Sequence, residues 1–238
     1  MAGEIVVAVI PAKQFSARLH CKNMQDLCGK PLVEWSFIQA KACKDITHVV
    51  FVTDDLAMAE LAKAYTPHIV YQNPQKTLPG VANGWTATCD GLNYVKREIG
   101  EPTILVSMLP TSPLKQRDDL RNIIGTFRKW RTARGAKLVQ PVVRVHEITL
   151  HVDLGTGGML QLIRNFTGDR RFLNTACIGW NVIDAAAYMA TWDTTTYDDP
   201  LIYMELEPWQ GFDIDREVDL DIVRVLFRKY ILDKGGYE

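Results

Sequence analysis

The sequence predicts an α/β fold, a mostly parallel sheet held between two layers of helices. Three observations carry this expectation. Short apolar runs rich in β-branched residues recur along the chain, at Ile5–Ile10, His48–Thr53, Ile69–Tyr71, Thr103–Met108 and Lys137–Val145. Such runs suit strands buried on both faces, as the strands of a parallel sheet are. Segments with helical apolar spacing lie between them. A basic stretch then follows the first run, at the carboxyl end of a strand, where open α/β sheets take phosphate-bearing ligands.

Taken in order, Pro11 ends the first strand because it has no backbone donor. The loop after it carries Lys13, Arg18, Lys22 and, further on, Lys30, with Ser16 and Asn23 among them. No glycine lies between Pro11 and Asn23, so by loop chemistry alone a phosphate cradle and a solvated basic loop stand level. Pro31–Ala42 has apolar residues at Leu32, Val33, Trp35, Ile38 and Ala42, an amphipathic helix with proline at its start. Leu56–Tyr65 reads as a second helix and Asn73–Gly91 as a loop leading into a third. After Thr103–Met108, two prolines flank Thr111-Ser112, a stiff turn able to hold hydroxyls at the carboxyl edge of the sheet. A rigid strand-to-helix connection into Asp118-Asp119-Leu120 is the plainer reading of the same residues. Ile148–Val152 and Met159–Ile163 around DLGTGG give a hairpin signal, and Cys177–Val182 a further strand. Near the end, Asp213 and Asp215 repeat every second residue, which puts both on one face of an extended segment. Two such carboxylates suit Mg²⁺, a hard ion that prefers oxygen. The competing explanation is a helix start, with Asp215, Glu217 and Asp219 favouring an amino terminus; it leaves Asp213 without a reason.

Composition bounds the function. The chain of 238 residues is 47% hydrophobic and carries a formal net charge of −1, so no overall field draws it to nucleic acid or to an anionic membrane. Its five cysteines, Cys21, Cys28, Cys43, Cys89 and Cys177, show no CxxC spacing and read as reduced thiols in a cytoplasmic protein. The apolar run near the amino terminus is too short for export or for spanning a membrane. The five histidines lack metallohydrolase spacing, and there is no G-x-S-x-G elbow, Walker loop or dinucleotide fingerprint.

The stretch IPAKQFSARLHCKN…LCGKPL resembles the amino-terminal signature of the sugar-acid cytidylyltransferases, the CMP-sialic acid synthetase group. Ser16, Lys22, Asn23, Gly29, Lys30, Pro31 and Leu32 match that pattern, and Lys13 stands at its Arg. LPTSPLK (Leu109–Lys115) is similar to the family's L-Q-P-T-S-P-L-R, Arg164 and Asn174 match its R-Q…N-G segment, and D-I-D-x-E-x-D-L from Asp213 matches its metal motif. The chain departs from the family at Ala17 (a Lys there), Asn73 (an Arg) and Leu109 (a Gln), and the family's Asp after the Arg-Pro pair is missing. Nearly the entire chain is covered.

The resemblance implies a Rossmann-like, three-layer α/β/α domain over residues 1–238, with a small β dimerisation arm at about 146–172 and a homodimer. It implies CTP and an acidic, sialic-acid-like 2-keto sugar as substrates, Mg²⁺ as cofactor, and no nucleic-acid or membrane partner. Lys13, Lys22, Asp213 and Asp215 are the implied catalytic groups, with the metal on Asp213 and Asp215. The nucleotide falls to Ala12, Lys13, Ser16, Arg18, Lys22, Asn23 and Pro110, and the sugar to Leu109, Thr111, Ser112, Lys115, Arg164 and Asn174. The departures leave open an altered sugar or nucleotide, or a catalytically weakened nucleotide-binding descendant. A metal-dependent glycosyltransferase fits less well, because its Asp-x-Asp normally follows a mid-chain strand.

Overall fold

The computed structural model describes residues 3–73, 84–144, 150–152, 160–162, 175–177, 179–190 and 201–237. Its first strand, β1 (Val6–Ala12), is buried along its whole length. A two-residue hairpin, β2 (Asp26–Leu27) and β3 (Lys30–Pro31), leads into α1 (Leu32–Ala42). Its turn residues Cys28 and Gly29 sit at φ 53° and 93°, a conformation glycine adopts without strain, and Asp26 Oδ1 accepts the Gly29 N–H at 3.0 Å. Then come β4 (His48–Thr53), α2 (Leu56–Ala62), β5 (His68–Tyr71), α3 (Gly84–Glu98), β6 (Ile104–Met108), α4 (Asp119–Arg134) and β7 (Leu138–Arg144). The described remainder is β8 (Leu150–Val152), β9 (Leu160–Leu162), β10 (Thr175–Cys177), β11 (Trp180–Asp184), α5 (Ala185–Ala190), β12 (Leu201–Leu206) and α6 (Glu217–Phe227).

The main sheet runs β7-β11-β6-β1-β4-β5, with β12 on the outer edge of β7 and β10 continuing the line of β11. β4 and β6 flank β1 in parallel, β5 and β12 are parallel to their neighbours, and β10 and β11 run antiparallel. Alternation along β1 divides the core. Val6, Ala8, Ile10 and Ala12 pack with α1, α2 and α4, through residues such as Phe37, Met58 and Phe127. Val7 and Val9 face α3 and α5, against Leu92, Val95 and Tyr188. Helices on both faces make three layers, as expected from strands without a polar face.

A third apolar cluster joins α6 to α1, with the Trp35 and Phe227 rings 4.7 Å apart and Leu27, Leu220 and Val223 around them. Ile214 is fully buried in it, which anchors the segment bearing Asp213 and Asp215.

Three differences from the sequence reading have physical causes. The expected strand Cys177–Val182 is two strands, β10 ending at Cys177 and β11 beginning at Trp180, and at Gly179 the N–H leaves the sheet for the Ser112 hydroxyl. The helix expected over 56–65 ends at Ala62, where the backbone bonds tighten into turns at Lys63, Ala64 and Tyr65. Neither α5 nor β12 was anticipated. The hairpin around DLGTGG does pair, Leu150 with Leu162 and Val152 with Leu160, and its turn lies outside the described residues.

Candidate active site

The chain runs β1, β4, β5 outward in one direction and then returns to place β6 on the other side of β1. That reversal opens a crevice at the carboxyl ends of β1 and β6, the place where open α/β sheets bind ligands. A cavity of about 360 Å³ lies there, within the roughly 300–1,000 Å³ usual for small-molecule sites. The end of β1 contributes Pro11 and Ala12, and the following loop Lys13, Phe15, Ser16, Ala17, Arg18, Lys22 and Asn23. Leu109, Pro110 and Thr111 line it from beyond β6.

The basic loop is tied down at both ends. Asp54, just past β4, accepts the Gln14 N–H at 2.7 Å, and Asn23 donates from Nδ2 to the Lys13 carbonyl at 2.9 Å. Asn23 is buried, and its Oδ1 has no partner among the described residues. Cys21 takes a left-handed conformation at φ 47°, the turn from which Lys22 projects. Lys22 Nζ donates to the Ile214 carbonyl at 2.7 Å and to Asp215 Oδ1 at 3.0 Å. Arg18 Nη2 reaches the same carboxylate oxygen at 3.0 Å. Arg18 and Lys22, which line the crevice, therefore meet Asp215 from almost two hundred residues away in sequence, while Asp213 and Asp215 themselves do not line the cavity.

Asp213 and Asp215 flank buried Ile214 and are both solvent-accessible. Capping, the competing explanation for Asp215, is the work of another residue: Asp219 Oδ2 accepts the N–H groups of Asp215 at 3.1 Å and Arg216 at 2.8 Å. The Arg216 guanidinium holds the Asp219 carboxyl below the usual carboxylate range. The pair offers hard oxygen donors, and Mg²⁺ sites commonly use one or two carboxylates plus substrate phosphates, so the residues fit that ion. No cluster of three or more His, Cys, Asp or Glu side chains suited to a metal occurs among the described residues.

Several expected site residues lie elsewhere. Lys30 pairs with Glu34 on α1 at 3.0 Å instead of joining the crevice, so the second half of the signature builds a turn and a helix start. Ser112 is buried and donates from Oγ to Asp213 Oδ1 at 2.8 Å. Lys115 is fully buried, donates to the Ser112 carbonyl, and lies with Nζ 5.6 Å from the Trp180 ring centroid. Burial pulls its pKa down to about 7, against the raising influence of Asp119 and Asp213. Neither side chain lines the cavity. Arg164 and Asn174 lie outside the described residues. Asp54, Phe15 and Gln72 line the crevice without having been picked out in the sequence. Position directly after a core strand was the available signal for Asp54.

A family model described as cytidylyltransferase matches residues 7–157. A 3-deoxy-manno-octulosonate cytidylyltransferase of Saccharophagus degradans is 24% identical over 139 residues, covering 58% of this chain and 51% of that protein. The enzyme of the same name from Chromohalobacter salexigens is 26% identical over 179 residues, 74% of this chain and 63% of the other. The chain thus spans between half and two thirds of the length of these curated relatives. Among solved structures, a CMP:2-keto-3-deoxy-manno-octonic acid synthetase complexed with CTP superposes with a TM-score of 0.68 at 16% identity, over 95% of this chain and 99% of the other. A 4-diphosphocytidyl-2C-methyl-D-erythritol synthase from Anaerococcus prevotii gives 0.66 at 14% identity, over 94% and 96%. Both share the fold. No helix among the described residues is long and apolar enough to cross a membrane.

Proposed function

The chain belongs to the cytidylyltransferase family, and on that premise we propose that it transfers the cytidylyl group of CTP to a hydroxyl of an acidic 2-keto sugar. The observation that carries this reading is the contact of Asp215 with Lys22 and Arg18, the two cations that line the switch-point crevice. A triphosphate needs clustered cations, and a nucleotidyl transfer needs carboxylates beside them.

The acceptor hydroxyl releases its proton to solvent as its oxygen bonds to the α-phosphorus, while the bond from that phosphorus to the bridging oxygen breaks and the electron pair leaves with pyrophosphate. Lys13, Arg18 and Lys22 neutralise the triphosphate and the charge that gathers on the leaving group. Lys22 is the least exposed of the three, and its ammonium is already held by the Ile214 carbonyl. Asp213 and Asp215 would hold Mg²⁺, which when bound polarises the α-phosphate.

The names of the matched relatives favour 3-deoxy-manno-octulosonate as acceptor over the nine-carbon sialic acids. Leu109 and Ala17 both line the crevice where the family pattern has Gln and Lys. A leucine neither donates nor accepts, and this favours a second reading in which the acceptor differs from both. The β8–β9 hairpin forms its own two-stranded sheet. Such a hairpin is marginal alone, which supports its role as a dimer arm. Deleting residues 146–172 is expected to leave a monomer by light scattering.

The deciding experiment is pyrophosphate release with Mg²⁺, each common nucleoside triphosphate, and a panel of 2-keto sugar acids beginning with 3-deoxy-manno-octulosonate and a sialic acid. Release with CTP and one acid, lost in Asp213→Ala, is the expected result. Silence across the panel, with no CTP bound by calorimetry, would sink the assignment.

A further inference from the structure

We propose that Ser112 is a positioning residue for Asp213, held in place by the backbone of Gly179, and that it governs cation binding there without touching substrate. The proposal rests on the reading of Asp213 as a metal ligand given above.

The turn Leu109–Ser112 divides its work. Leu109, Pro110 and Thr111 face the crevice, whereas Ser112 is only 2% exposed. Its hydroxyl makes two bonds of opposite sense. It accepts the Gly179 N–H at 3.1 Å and donates to Asp213 Oδ1 at 2.8 Å. A serine hydroxyl has a single proton. With the Gly179 N–H occupying a lone pair, that proton is directed at the carboxylate. One oxygen of Asp213 is thereby committed and the other is left for a cation.

Gly179 is suited to this by what it lacks. A Cβ there would lie 2.5 Å from Ser112 Oγ, closer than real Cβ atoms approach, and in tight contact with Leu109 Cδ1 at 3.3 Å. The bare backbone instead clasps the turn from both ends, since the Gly179 carbonyl accepts the Leu109 N–H at 3.0 Å. The far side is fixed too: the Thr111 carbonyl accepts the Ile214 N–H at 2.9 Å. Gly179 stands opposite Leu109 in the β6–β11 register, so its carbonyl extends that ladder by one residue while its N–H turns out of the ladder to the Ser112 hydroxyl. A carboxylate fixed in this way has less freedom to lose when a cation arrives, and such outer partners typically set metal affinity by 10–100-fold.

The test is Mn²⁺ binding followed by electron paramagnetic resonance, with CTP present and no sugar acid, so that no turnover is needed. Ser112→Ala is expected to weaken Mn²⁺ by about tenfold, while CTP affinity in EDTA stays within about twofold. In an Asp213→Asn background, Ser112→Ala should weaken Mn²⁺ no further, because the partner it positions is already altered. Ser112→Cys keeps the shape with a weaker donor and should fall between, which holds the test open if the alanine variant folds poorly. Unchanged Mn²⁺ affinity in Ser112→Ala, or an equal loss in the Asp213→Asn background, overturns the positioning role alone. An equal loss of CTP binding in EDTA overturns it too, in favour of a substrate contact. Wild-type protein that binds CTP but no Mn²⁺ overturns the metal reading and this inference with it.

Discussion

One oxygen of Asp215 takes both Lys22 Nζ and Arg18 Nη2 at 3.0 Å, so before a nucleotide arrives the carboxylate itself occupies the loop cations. A triphosphate must displace it, and the freed carboxylate is then available to a cation. Asp215→Asn should therefore tighten CTP binding in EDTA, by about threefold to fivefold if the displaced pairs are worth up to about 1 kcal/mol. Asp213→Asn removes the same charge without touching those cations and serves as the control in calorimetry. Equal gains from both variants would reduce the effect to net charge, and a loss in Asp215→Asn would refute it. Lys22, Arg18 and Asp215 were legible as residue types in plausible motifs; that they share one contact was not, because nothing local records a meeting across nearly two hundred positions. Ser112 was legible as a hydroxyl on a stiff turn. Which way it faces depends on Gly179, far along the chain, so it reads equally well as a substrate contact. Asp54 and Asp55 look alike in sequence, yet Asp55 caps α2 through the Met58 N–H at 2.8 Å while Asp54 ties the loop.

The elements most legible in the sequence are those whose identity is decided by their own residues. β1, β4 and β6 sit in the middle of the sheet, buried on both faces, and their β-branched runs say so. β12 escaped because what makes it a strand is remote: it pairs in parallel with β7, Leu201 to Leu138 through Leu206 to Val143. Its exposed Leu201 and Tyr203 give no sign of an edge. Helix packing gives a sharper test at this scale. On α3, a Cβ at Gly91 would lie 2.8 Å from Val9 Cγ1 and 3.2 Å from Val52 Cγ2, and valines fixed in a sheet have little freedom to yield. Overpacking of about 1–3 kcal/mol outweighs the gain of about 1 kcal/mol from replacing a helical glycine. Gly91→Ala should lower Tm by several degrees. On α4 an added Cβ at Gly125 meets nothing within 4 Å, so Gly125→Ala should raise Tm by about 2–3 °C. Thermal melts of the two variants that moved in the same direction would contradict the close approach of α3 to the sheet.

For the molecule as a whole, the buried Lys115 couples stability to pH. Burial lowers its pKa from 10.5 to about 7 in the folded protein, so the native state favours the neutral amine. Below about pH 7 both states carry the proton and the desolvation cost is present in full. Between pH 7 and 10.5 the unfolded chain holds a proton that the native state has released, and stability rises with pH, by about 1.4 kcal/mol per unit for one such group. Burial also raises the pKa of Cys28, Cys43 and Cys89 above 9.0. Above that pH the unfolded chain loses thiol protons first, which works in the opposite direction. The clean window is therefore pH 7 to 8.5. Lys115→Met fills a similar volume without a charge, and Asp119 keeps bonds from the Gln116 N–H and Gln210 Nε2, both at 2.6 Å. Buried charges replaced by apolar groups of like size often leave stability unchanged or higher. The variant's Tm should thus exceed that of the wild type most at pH 7, with the difference narrowing by about 2–4 °C per pH unit up to 8.5. Melting curves that stay parallel across this window would mean that the Lys115 amine does not change its protonation on folding.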